Sequence, residues 1–146
     1  MPKRGVSPEE RIIAAIKRLD FTLDEIKLAM DANRGKFEAP LVVGRYPGRA
    51  RLIVRCRHDS FTSWAMSIVV NGARFNGRID CIDWEGSFVD TESVRNRGFH
   101  RHLWDPKIMS CESLKMALPR FLPSSAEAFI IEGLLLLKVK MREEGK

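Results

Sequence analysis

Apolar positions change period twice along the chain. Ile12, Ile13, Ile16 and Leu19 recur at helical spacing. Ser7-Pro8-Glu9-Glu10 stands before them, with a cap, a proline suited to the first turn and two acids at the positive helix end. Thr22 and Glu25 are spaced as a capping box ahead of Leu23, Ile26, Leu28, Ala29 and Met30, a second helix that stops near Asn33-Arg34-Gly35. From Arg49 the period falls to two. Leu52, Val54 and Cys56 alternate with Arg51, Ile53, Arg55 and Arg57, and Trp64, Met66, Ile68 and Val70 form a second such set. Asn71-Gly72 is a hairpin turn signal, after which Phe75, Ile79 and Cys81 oppose Arg74, Arg78 and Asp80. The connections are too short for helical crossovers, so the strands are predicted to run antiparallel. The polar stretch 84–98 reads as a loop, and Phe99 to Trp104 as one further short strand.

Helical signals return after that. Ser110 precedes Leu114, Met116, Ala117 and Leu118, a helix limited by Pro119. Ser124 and Glu127 have capping-box spacing, and 124–143 reads as a long C-terminal helix, apolar over a wide arc. No single stripe hides Leu134, Leu135, Leu136 and Leu137, so either the rest of the chain covers them or a homodimer forms through this helix. The outline is an α+β domain: an antiparallel β-meander of about four strands flanked by N-terminal and C-terminal helices. A chain of 146 residues fits a single domain, 1–146, with 1–6 expected to be flexible.

Composition narrows the class without naming a reaction. Hydrophobic residues at 45% and charged residues at 30% exclude a wholly disordered or collagenous chain. Cys56, Cys81 and Cys111 are odd in number and form no C-x-x-C pair, which argues against a disulfide framework. No apolar stretch follows the basic N-terminus, and Glu132, Lys138 and Lys140 interrupt the longest apolar segment. A cytoplasmic protein with no membrane partner is therefore expected. Charge is uneven: residues 1–57 hold 13 Lys+Arg and 7 Asp+Glu, the whole net charge of +6. Arg45, Arg49, Arg51, Arg55 and Arg57 follow one another with no acid between them. Such a cluster either draws phosphate backbones or serves as a solvated strand face. As a phosphate site it comprises Arg51, Arg55 and Arg57 with Arg78.

The densest candidate chemistry is Arg78-Ile79-Asp80 followed by Gly98-Phe99-His100-Arg101-His102. In a strand His100 and His102 share a face, and so do Arg78 and Asp80; if the two segments are neighbours, the four converge. Two imidazoles and a carboxylate supply an acid and a base beside an arginine that holds phosphate, the parts of a metal-free ribonuclease. Alternatively His100, His102 and Asp80 bind a transition metal in a metal-dependent enzyme, with Asp83, Glu85 and Asp90 as further ligands, or the histidines are surface features. His58, at a probable turn sequence, reads as structural. Phosphate-loop, dinucleotide, zinc-peptidase and serine-hydrolase motifs are absent from the chain, and no cofactor is expected.

The order of these pieces resembles small prokaryotic proteins of mobile elements and toxin–antitoxin-like gene pairs. The matching pieces are Glu9-Glu10-Arg11-Ile12-Ile13, Arg51-Leu52-Ile53-Val54-Arg55, Arg78-Ile79-Asp80 and His100-Arg101-His102, over residues 8–122. The histidine that such proteins carry soon after R-x-D is missing here. The resemblance implies a nucleic-acid partner, with His100 and His102 acting on phosphate that the arginines position.

Overall fold

In a computed structural model the chain describes residues 7–44, 49–56, 64–72, 75–85 and 98–143. Residues 1–6, Arg57, His58 and most of the 84–98 loop lie outside these. The described residues form three helices and eight strands: α1 (Pro8–Ala14), β1 (Lys17–Leu19), α2 (Leu23–Ala32), β2 (Lys36–Leu41), β3 (Arg49–Arg55), β4 (Ala65–Asn71), β5 (Asn76–Glu85), β6 (Gly98–Asp105), β7 (Ser110–Ala117), α3 (Ala126–Leu136) and β8 (Val139–Met141). The α+β class and the antiparallel meander hold, but the sheet is larger than the expected four strands. Six strands follow one another in the order β2-β3-β4-β5-β6-β7, all antiparallel.

The helix starts form as their sequences predict. Ser7 with Glu10, and Thr22 with Glu25, each close a reciprocal capping box that satisfies two otherwise orphaned N–H groups. Three other expectations fail. Residues 110–117 are a strand, because their backbone pairs with β6 from Asp105–Ser110 to His100–Ala117. The first helix ends at Ala14, and Lys17–Leu19 instead forms a parallel pair with Val139–Met141. The C-terminal helix is correspondingly short. It starts from Ser125, not Ser124, and stops at Leu136; Lys138 at φ 59° turns the chain into β8.

One face of the sheet carries the core. Phe37, Ala39, Leu52, Val54, Met66, Ile68, Ile82 and Phe99 point into it and meet Ile12, Ile26, Met30, Phe129, Ile130 and Leu134 from the helices. Helix α3 packs close on the sheet: a Cβ on Gly133 would stand 2.8 Å from Met66 Cε. Full burial of each large aliphatic side chain contributes about 1.5–3 kcal/mol. A buried charge cluster lies in the same layer. Lys17 Nζ donates to the carbonyls of Ile12 at 2.6 Å, Ala15 at 2.9 Å and Ile13 at 3.3 Å, so its ammonium caps the negative end of α1. Of the four consecutive apolar side chains in the leucine run, the chain buries Leu134 and Leu137 and leaves Leu135 73% exposed.

Candidate nucleic-acid interface

The other face of the sheet assembles the polar residues. Residues paired directly across neighbouring strands project to the same face, so the register defines rows. One row runs Lys36, Arg55, Ala65, Asp83, His100; the next runs Glu38, Ile53, Ser67, Cys81, His102; a third runs Pro40, Arg51, Val69, Arg78. Arg51, Arg55, Arg78, His100 and His102 therefore share one face, as their spacing predicts. Arg57 lies outside the described residues.

Asp80 is elsewhere. The β4–β5 register shifts between Ile68 and Val69, so that Ile68 pairs with Asp80 while Val69 pairs with Arg78. Ile79 is the extra residue of a bulge, and beyond it the alternation reverses. Arg78 thus faces outward and Asp80 inward, fully buried, where Arg101 Nε and Nη2 donate to its two oxygens at 2.8 and 2.7 Å. This bidentate pair holds the Arg101 guanidinium protonated despite burial. The expected set of His100, His102 and Asp80 is accordingly not brought together. Among the described residues no group of three or more His, Cys, Asp or Glu side chains is placed to hold a metal ion.

Asp83 occupies the place expected of Asp80. It stands directly across from His100, and its Oδ1 accepts a hydrogen bond from His102 Nε2 at 2.9 Å. His100 Nδ1 donates to the Gly98 carbonyl at 3.0 Å. Both partners only accept, which fixes the tautomers of the neutral rings: His102 carries its lone pair on Nδ1 and His100 on Nε2. The signal that could have found Asp83 is Gly77, a glycine within the strand at φ 145°, since strand glycines often accompany bulges.

Cys81 lies between these groups and is inert as a nucleophile. Burial pushes its thiol up to about 11; the hydrogen bond that Ser67 Oγ donates at 3.2 Å and the Arg78 guanidinium at 3.8 Å act the other way. Cys56, buried in the core, is pushed up to about 12.

The arginines differ in what already neutralises them. Arg51 is ion-paired with Glu38. Arg55 and Arg78 are exposed and form no ion pair among the described residues. The indoles near the sheet are turned to the core, Trp84 against Phe99 and Trp64 against Phe129. No family, curated protein or solved structure matches the chain. Among the described residues no helix is long and apolar enough to cross a membrane.

Proposed function

We propose that the arginine-bearing sheet face, exposed at Arg51, Arg55 and Arg78 and buried at Ser67, Cys81 and His100, contacts the phosphate backbone of nucleic acid, in a protein of the mobile-element or toxin–antitoxin-like kind that its layout resembles. The observation that carries this reading is the pair Arg55 and Arg78, exposed, on one face and without a carboxylate partner among the described residues, beside the His100–Asp83–His102 group. Exposed cations beside hydrogen-bonded imidazoles suit an anionic ligand, and a repeated phosphate matches their spread over several strands. With the tryptophans turned inward, the face favours backbone contact over base stacking, hence weak sequence preference. Anisotropy titration of labelled single-stranded and duplex oligonucleotides at about 50 and about 200 mM salt tests it. Binding that weakens steeply with salt is expected; no binding at the lower salt removes the reading.

A second reading has its own observation. Leu122 at 75%, Leu135 at 73%, Met116 at 44% and Ile131 at 37% exposure leave large apolar side chains uncovered on and around α3 and edge strand β7. Covering them by a second copy would make the protein a homodimer through this region. Light scattering at micromolar concentration decides it: a monomeric mass excludes the dimer.

A further inference from the structure

We infer that His102 and His100 cleave RNA without a metal, by transfer of the phosphodiester to the ribose 2′-oxygen. The inference rests on the phosphate-contacting reading of this face and adds a reaction and a substrate class to it. The two rings are anchored through different nitrogens, each leaving one free. His102, oriented by Asp83 through Nε2, offers an unprotonated Nδ1, and the carboxylate favours the imidazolium that forms on taking a proton. His100, 4% exposed and held at Nδ1 by the Gly98 carbonyl, has Nε2 left to carry and release a second proton once the ring is protonated. Two residues along a strand lie about 6.6 Å apart, room for one phosphate with a ring nitrogen on either side. Arg78 adjoins Cys81, the cross-strand partner of His102, and Arg55 lies on the same face in the row of Asp83 and His100, beyond Ala65.

The step balances when His102 enters neutral and His100 enters as the imidazolium, with a proton on Nε2 as well as on Nδ1. His102 Nδ1 takes the 2′-hydroxyl proton as that oxygen bonds to phosphorus. The bond from phosphorus to the 5′-oxygen breaks, and His100 Nε2 gives its proton to the departing oxygen. The products are a 2′,3′-cyclic phosphate and a 5′-hydroxyl. Arg78, beside Cys81, is the nearer cation for the charge that builds on the non-bridging oxygens, while Arg55 holds a neighbouring phosphate of the strand. DNA lacks the nucleophile and is bound but not cut. His100 and His102 are the catalytic residues, and Asp83 is a positioning residue.

The test uses the full chain with EDTA present and three oligonucleotides of one sequence: RNA, RNA with a single 2′-deoxy nucleotide at a mapped cleavage position, and DNA. The expected result is cleavage of the RNA to cyclic-phosphate ends by mass spectrometry, with no cut at the 2′-deoxy position. His102→Gln and His100→Gln should each slow cleavage by about 10²–10⁴-fold, far more than either weakens binding of the DNA strand. Asp83→Asn should slow it and move the limb of the pH–rate profile that belongs to the base, which a merely structural role would not do. Binding without cleavage overturns this inference and leaves the phosphate-contact reading standing; failure to bind any of the strands overturns both. Cleavage at the 2′-deoxy position, a test that needs no variant to fold, or cleavage undiminished in His102→Gln, overturns the two-histidine assignment.

Discussion

Lys17 should make the folded protein relatively more stable as the pH rises above 8. Its side chain is fully buried, and burial lowers its pKa from 10.5 to about 8, with Asp80 opposing the shift and Arg101 and Lys138 adding to it. In the unfolded chain the amine keeps its ordinary value. Between pH 8 and 10.5 the unfolded state therefore binds more protons than the folded state, and the unfolding free energy rises with pH. The two values differ by 2.5 units, a penalty of about 3 kcal/mol below pH 8, most of it released by pH 10. The thiols act oppositely. Folded-state values of about 12 for Cys56 and about 11 for Cys81 mean that only the unfolded chain ionises them just above pH 9, which lowers stability. Comparison with Lys17→Met cancels that contribution. Urea unfolding followed by tryptophan fluorescence should show the stability of wild type relative to Lys17→Met rising by about 2–3 kcal/mol from pH 7 to pH 10. A difference that is flat or falls over that range would refute a charged amine held in the core layer.

Arg101→Ala should cost about 3–5 kcal/mol in thermal or urea unfolding, because it strands the fully buried Asp80 without its bidentate partner. Asp80→Asn combined with Arg101→Met should recover most of that loss; a double variant as unstable as the single one would show that the pair's charge is not the reason. Leu137→Ala should cost about 2–5 kcal/mol by the cavity it leaves, whereas Leu135→Ala, at a 73% exposed position, should stay within about 0.5 kcal/mol in a monomer. Equal losses at the two positions would mean that Leu135 is covered in solution.

Where local signals agreed with the fold, the elements were legible. Both N-terminal capping boxes formed, and the alternation through Leu52 and Val54, and through Met66, Ile68 and Val70, marked the core face of the sheet. Strand β7 was misread because Lys115, Met116 and Ala117 are good helix formers and Pro119 mimics a helix stop; pairing with β6 overrides that local preference. The end of α3 carries no glycine to announce it, since Lys138 itself takes the left-handed conformation. At the site, two-residue spacing placed His100 and His102 correctly. It failed for Asp80, because one inserted residue at Ile79 reverses every later side chain and a bulge is invisible to a count of alternations. The same reversal brings Asp83 to the histidines, and Arg101, the residue between them, to Asp80.

The salt dependence of nucleic-acid binding, measured for wild type and for Arg55→Ala with Arg78→Ala, tests the phosphate-contacting face most directly. Each lost phosphate contact should flatten the slope of log affinity against log salt by about 0.7–0.9, so the double variant should lose about 1.4–1.8 and bind more weakly at low salt. An unchanged slope and affinity in the double variant would contradict the account, since the two arginines would then be only a solvated strand face.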